Sequence, residues 1–470
     1  MNKYKKLSLN VLSIAIGQFS SKLLVFFLLP LYTTLLTPEE YGVFDLLVTS
    51  VTLLTPIFTL TITEGVLRFC LDEKYDSREI LSIGLLTVIT GSIMLAFFYP
   101  VSKFIPSLSV YYSWFIIFFI ITNIHSVFMQ YIKGIGSIKF YSICGTVTTL
   151  TTLVLNILFL VVFRMNIKGY MMSYIVSHTV VDLLICLRIK IWRLLYIPKR
   201  ISKKTFKDIL NYSFPMIPNS LCWWISNSSD KYMISLMVST SALGIYSVSY
   251  KIPSILTIFT TIFNSAFQIS SVENFGDENS KKFYSNVYQL YSSINVIIAA
   301  TIIVFGKTLA YILYRKEFFE AWKSSIVLIV AFVFNSLSAL LGTIYTSAKK
   351  TKMLFYSTLL AAIINVMLNV ILIPVCGIVG AAIATLFSYF IVWIIRLINS
   401  RSILKFKINI LQNIISYVFL VVEIACLLFD FRGKILIAII VYIAIIFVNV
   451  VLIYRLDAVK KYIFNRINRK

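Results

Sequence analysis

The chain has 470 residues, 59% hydrophobic and 13% charged, with a mean hydropathy of +0.89 and a formal net charge of +24. That balance is too apolar for a water-facing fold, and apolar stretches of about 20 residues, the length of one bilayer crossing, recur with little between them. No room is left for a soluble domain. Lipid cannot satisfy backbone amides, so spanning segments must be helices or closed barrels, and long runs without two-residue alternation exclude the barrel. The basic excess reads as the topology signal of cytoplasmic loops, not as a nucleic-acid surface.

The predicted fold class is therefore an all-α polytopic membrane protein. In chain order the predicted spans are residues 9–35, 43–67, 80–104, 110–132, 139–163, 169–192, 209–238, 243–268, 284–312, 322–347, 353–375, 378–399, 408–429 and 434–454, about fourteen transmembrane helices. The opening apolar run Ser8 to Leu36, after Lys3, Lys5 and Lys6, is too long for a signal-peptide core and reads as an uncleaved first span. An even count puts both termini on one side, and the weight of Lys and Arg in alternate loops puts that side in the cytoplasm. The most basic loop, Arg188 to Lys207, follows the sixth span. It divides the chain into a six-helix lobe over residues 1–200, a second over 201–402, and a C-terminal transmembrane pair with a basic tail over 403–470.

The two six-span halves carry an ordered, weak self-similarity. Thr37-Pro38-Glu39-Glu40-Tyr41-Gly42 after the first span parallels Ser239-Thr240-Ser241-Ala242-Leu243-Gly244 after the seventh, and Phe140-Tyr141-Ser142 parallels Phe355-Tyr356-Ser357. Six spans per half insert each copy the same way up, so the reading is of parallel pseudo-repeats around a central cavity.

An ionisable residue within a span costs about 2.5 to 3.5 kcal/mol by insertion scales and needs a partner, an escape route or water. Such residues concentrate in spans one, two, seven and eight: Lys22, Glu64, Arg68, Asp230, Lys231 and Lys251. Pro30, Pro56, Pro215, Pro218 and Pro253 interrupt the same four helices. Lys22 and Lys251 have no opposite charge within a turn and lie too deep to reach the headgroups readily. They are the foremost candidate cargo contacts, and a cationic lining suits an anionic, phosphate-bearing cargo. Asn219 and Asn227 of span seven supply hydrogen bonds for a sugar, and one of Trp223 and Trp224 at most faces the same way. Glu64 and Arg68, four apart, either contact cargo or neutralise one another. Lys307 snorkels, Asp45 and Lys133 read as interfacial charges, and Asp182 and Glu423 stand without clustered company. The six cysteines lack metal or disulfide spacing, and His125 and His178 are too few for a metal site.

Three strings carry a family resemblance: Leu29-Pro30-Leu31-Tyr32 through Thr37-Pro38-Glu39-Glu40-Tyr41-Gly42; Glu64-Gly65-Val66-Leu67-Arg68-Phe69; and Phe214-Pro215-Met216-Ile217-Pro218-Asn219-Ser220 through Ser229-Asp230-Lys231-Tyr232. The chain resembles, over essentially its whole length, the polysaccharide biosynthesis flippases (Wzx type) of the MOP (MATE-like) superfamily. The resemblance implies a transporter, not an enzyme, that moves an undecaprenyl-diphosphate-linked oligosaccharide repeat unit from the inner to the outer leaflet of the bacterial inner membrane. It does so by alternating access, for O-antigen or capsule assembly, beside a polysaccharide polymerase and chain-length machinery. No cofactor is implied, and a coupling ion, H⁺ or Na⁺, stays open. The family's more usual twelve spans make the last helix pair an addition. A multidrug antiporter would favour acidic lining residues, a lipid II flippase shares the span count but fewer strings, and a polymerase needs a larger charged outside loop than Tyr99 to Ser113, whose single charge is Lys103.

Overall fold

The computed structural model describes residues 26, 28–103, 109–196, 201–273, 280–348, 351–429 and 431–454. All regular structure among them is helical, as the absence of two-residue alternation requires. Ten helices are long and apolar enough to cross a membrane, or eleven when one bent pair is taken as a span. The predicted fourteen is not reproduced among the described residues, for three physical reasons. Most of the first span lies outside them, the seventh is too polar to qualify by composition, and two further spans are fused into one continuous helical stretch. The chain packs as two compact units, Met1–Tyr232 and Met233–Lys470.

In the first unit, α1 (Pro38–Phe58) starts where Thr37 and Glu40 cap it reciprocally: the Glu40 amide donates to Thr37 Oγ1 at 3.2 Å, and the Thr37 amide to Glu40 Oε2 at 2.9 Å. Pro38 at the first helical position needs no donor there. The predicted second span is broken. After Pro56 the helix ends, Leu60 and Thr61 take left-handed backbone angles (φ 53° and 50°), and α2 (Ile62–Cys70) resumes. Non-glycine residues in that region are strained by about 1–3 kcal/mol, so the surroundings must hold the break. Thr61 Oγ1 donates to the Ser213 carbonyl at 2.6 Å. Gly91 of α3 (Ser77–Ala96) lies so close to the Phe58 carbonyl that a Cβ there would meet its oxygen at 1.9 Å.

The unit continues through α4 (Tyr112–Gly134), α5 (Ile138–Asn156, prolonged by a π turn Ile157–Val162), α6 (Asn166–Ile189), the short amphipathic α7 (Lys203–Ser213) and α8 (Ile217–Met237). Ile62, Val66, Ile80, Val127, Val181, Ile185 and Ile209 form one buried core that joins α2, α3, α4, α6 and α7. The basic loop and α7 are fastened by side-chain bonds to residues 75–79. Tyr196 Oη donates to Asp76 at 2.6 Å, Thr205 Oγ1 to Glu79 at 3.2 Å, and Tyr75 Oη to Asp208 at 3.1 Å. Partial burial opposes ionisation of Asp76, yet the Tyr196 hydroxyl and the Arg78 amide hold its carboxyl below the usual carboxylate range.

In the second unit, Ser239 caps α9 (Thr240–Ser249), whose axis turns by 44° at residues 250–253 into α10 (Ser254–Glu273). Pro253 accounts for the break, since it cannot donate into the preceding turn. The second span of each predicted half is thus interrupted beside a proline. There follow α11 (Ser280–Val304), α12 (Gly306–Leu313), α13 (Ala321–Ser347), α14 (351–376), α15 (378–403), α16 (Ile410–Leu428) and α17 (Lys434–Tyr454). Helices α14 and α15 are a hairpin. Gly377 turns the chain at φ 55° and ψ −136°, Asn365 reaches Thr385 at 3.4 Å, and Ser357 reaches Arg396 at 3.0 Å, pairings possible only if the chain doubles back. The C-terminal pair is tied to α11 by polar side chains: Gln289 donates to Asn413 at 3.2 Å, and Ser292 and Tyr417 share a 2.8 Å bond.

Arg396 is a buried cation inside the predicted span 378–399 that the sequence reading did not single out. Only 5% exposed, its guanidinium donates from α15 to Ser357 Oγ and Thr358 Oγ1 of α14 and to the Ser338 carbonyl of α13, all within 3.0 Å. A rigid fork can serve three acceptors on two helices at once, whereas a lysine ammonium cannot match their positions. Arg396→Lys is expected to cost about 2 kcal/mol, read as a lowered melting temperature of the purified protein; an unchanged melting temperature would contradict the packing role assigned to the fork.

Candidate functional site

The polar face of α8 is built against α1 within the first unit. Lys231 Nζ sits 2.9 Å and 3.2 Å from the two carboxyl oxygens of Asp45, with each side chain 19% exposed. One turn and more toward the start of α8, Trp224 Nε1 donates to the Thr49 carbonyl at 3.1 Å and lies 3.2 Å from Thr52 Oγ1. The Tyr232 hydroxyl bonds Ser50 Oγ. Asp45 meets Lys231 while Thr49 and Thr52, later on α1, meet Trp224, earlier on α8, so the two helices run antiparallel, joined by an ion pair, an indole and a phenol. Asp230 is 2% exposed beside this pair, and its carboxyl accepts from the Lys231 amide at 2.9 Å. Behind α1, the rings of Phe44 and Tyr170 stand 3.9 Å apart and those of Tyr41 and Tyr170 stack at 6.2 Å, giving the Asp45 turn a rigid aromatic backing.

The expected contacts therefore divide. Lys231 and Asp230 come together with Asp45, which the sequence reading set aside as an interfacial charge; its position near a span end is correct, but its partner lies on another helix. Asn227 is exposed one turn before Lys231, its amide donating to the Trp223 carbonyl at 2.7 Å, and Asn219 is exposed near the start of α8. Of the two tryptophans, Trp224 is fastened to α1, while Trp223 is 45% exposed. Glu64 and Arg68 are exposed on α2, and the ion pair Arg68 makes is with Asp72, 4.0 Å away. Lys251 belongs to the second unit, in the turn at which α9 bends into α10; its carbonyl accepts from Ser254 Oγ at 2.6 Å. Lys22 lies outside the described residues. Lys307 is exposed with its ammonium 5.7 Å from the Trp322 ring centroid, within cation–π range.

Two further residues set aside on sequence take on definite surroundings. Asp182 is not isolated: His125 Nδ1 meets its Oδ1 at 2.7 Å. Glu423 is fully buried in α16, and neither of its carboxyl oxygens has a hydrogen-bond partner among the described residues. Among those residues no cluster of three His, Cys, Asp or Glu could hold a metal.

Comparison with known proteins fits this architecture. The profile of the MatE family matches residues 215–371. A curated relative, the probable low-salt glycan biosynthesis flippase Agl15 of Haloferax volcanii, is 25% identical over 205 residues, which are 42% of this chain and 43% of the relative. The match thus spans less than half of that protein. Among solved structures, an inward-facing multidrug resistance MATE family transporter of the MOP superfamily gives a TM-score of 0.69 at 14% identity, over 83% of this chain and 98% of that one. The lipid II flippase MurJ, in an inward closed conformation, gives 0.67 at 15% identity, over 94% and 98%. At such identities the likeness establishes the fold alone. The profile described as polysaccharide biosynthesis protein matches residues 7–266, more than half of the 470, and the chain accordingly belongs to that family of multi-pass membrane proteins.

Proposed function

We propose that the protein is a flippase for a lipid-linked oligosaccharide, carrying an undecaprenyl-diphosphate-linked repeat unit from the inner to the outer leaflet of a bacterial inner membrane for O-antigen or capsule assembly. The observation that carries the reading is the family match over residues 7–266, within which the polar seam of α1 and α8 lies. The printed role of the Haloferax volcanii relative, glycan biosynthesis flippase, supports it. A diphosphate brings about two negative charges, and each one moved outward gains about 2.3 kcal/mol per 100 mV of inside-negative potential. Cationic side chains at Lys22, Arg68, Lys231 and Lys251 would hold those charges in transit, while Glu64, Asp230, Asn219 and Asn227 would offer acceptors and amides to the sugars. Both termini would then be cytoplasmic, and a polymerase would take up the delivered units. The chemistry needed is binding and release, so no catalytic group is assigned.

Deleting the gene in its own host tests this. Loss of surface polymer, with complete and unpolymerised lipid-linked units trapped in the inner leaflet, is the expected result. Unpolymerised units on the outside would indicate a polymerase. Unchanged polysaccharide with altered drug sensitivity would indicate an antiporter like the MATE structures that share the fold.

A further inference from the structure

The sequence holds two histidines, and the fold places both in one spot of the first unit. His125 projects from α4 and His178 from α6; their rings meet edge to face with centroids 4.7 Å apart. His125 Nδ1 bonds Asp182 of α6 at 2.7 Å, and His178 Nδ1 lies 2.8 Å from the Tyr174 carbonyl. The Tyr174 ring stacks on His178 at 3.9 Å and on Phe118 at 4.2 Å, closing one side of the cluster. The titratable groups that face the pair are Cys144 of α5 and, on α6 itself, Tyr174 and Cys186; α1 contributes a phenyl ring, Phe44, against Tyr174. His125 and Asp182 keep 13% and 12% of their side-chain surface exposed, so the pair is nearly but not wholly buried within the chain.

This geometry assigns the nitrogens. Each Nδ1 faces an oxygen and donates to it, which leaves each Nε2 as the acceptor that gains or loses a proton. With His125 neutral and Asp182 ionised, the cluster carries one negative charge inside a span. A proton on Nε2 of His125 converts it to an imidazolium–carboxylate pair of zero net charge. A second proton, on His178, would set two cations 4.7 Å apart, so the cluster holds a single exchangeable proton. Loss of that proton leaves a net negative charge where α4 packs on α6, with the neutral His125 Nδ1–H as donor to Asp182, and such a charge favours water or a further partner. The protonated and deprotonated clusters therefore favour different packings of these two helices.

We propose that His125 and Asp182, backed by His178, form a proton-binding site whose occupancy is coupled to cargo movement. The coupling rests on the flippase reading above; the binding of the proton does not. In protein labelled with ¹⁵N-histidine and held in lipid nanodiscs, the two imidazoles give a spectrum with two rings to assign. One ring is expected to change protonation state across the pH range in which the protein stays folded, and Asp182→Asn to shift that midpoint by about tenfold or more in proton concentration. Two rings that keep one protonation state across the range would overturn the site. In the deletion host, wild-type protein should lose polysaccharide export when an ionophore dissipates the pH gradient while leaving the potential. His125→Gln and Asp182→Asn should export poorly whether or not the gradient is present. If folding of either fails, His178→Gln, which leaves the ion pair intact, should still alter the pH profile. Variants with wild-type export and wild-type ionophore sensitivity would overturn the coupling. Failure of the flippase reading would show separately, as a deletion strain without trapped lipid-linked units.

Discussion

Gly91→Ala is expected to leave almost no folded protein in the membrane. The added Cβ would stand 1.9 Å from the Phe58 carbonyl oxygen and 2.7 Å from its carbon, and neither is a flexible side-chain tip that could step aside. Overpacking of this kind ordinarily costs about 1–3 kcal/mol, and a backbone clash belongs at or above the top of that range. The position also matters for what it supports, because Phe58 ends α1 just before the left-handed pair Leu60 and Thr61. Relief of the clash would push apart the break between α1 and α2. Gly145→Ala is the control. Nothing lies within 4 Å of its Cβ position in α5, so it should be neutral or add up to about 1 kcal/mol of helix propensity. Monodispersity of detergent-extracted protein on size-exclusion chromatography separates the two. A Gly91→Ala protein as monodisperse as the Gly145→Ala control would refute the close approach.

The second large effect belongs to Asp45 and Lys231. Removing either partner leaves the other charge, 19% exposed, without the carboxylate–ammonium contact it now makes. Breaking a buried pair costs about 3–5 kcal/mol, and the 19% exposure of both side chains brings this one toward about 2–3 kcal/mol. Lys231→Met and Asp45→Asn should each lower thermal stability accordingly, and the double variant should recover most of it, since replacing both partners removes the stranded charge. Export decides what the pair is for. If Lys231 also contacts the cargo diphosphate, the double variant stays inactive although stable. Full export by the double variant would make the pair a structural fastener and remove Lys231 from the proposed cargo contacts.

Much of the scaffold was legible from residues one turn apart. Gly377 lies between two predicted spans where the chain reverses, and Pro253 falls where α9 bends into α10, whereas Thr37 to Gly42, between the predicted spans 9–35 and 43–67, opens α1 at Pro38 through a reciprocal cap. Each is a local instruction, enforced by backbone sterics or a hydrogen bond within a turn. The polar contacts were not legible for the complementary reason. Asp45 finds Lys231 across 186 residues and His125 finds Asp182 across 57, and periodicity cannot say which faces of two helices meet. A charge near a span end looks interfacial until its partner is known, which is how Asp45 was set aside while Asp230 and Lys231 were singled out. Arg396 escaped notice because three residues from the end of the predicted span is a position from which an arginine could as readily have snorkelled. The polarity of α8 worked in both directions: it marked that helix as functional, and it also kept it from qualifying as a span by composition.

The fastening of α7 and α8 onto α1, α2 and α3 has a consequence for biosynthesis. Thr61 waits for the Ser213 carbonyl, Glu79 for Thr205, and Asp45 for Lys231, so the early helices leave the ribosome with backbone and charge unmet. They acquire these partners only after 126 to 186 further residues have been translated. During that interval a charged residue near the start of α1 is in the membrane without its counterpart. The nascent chain then depends on the insertion machinery, or on lipid headgroups, for a temporary one, and the seventh span to be made is the one that completes the first unit.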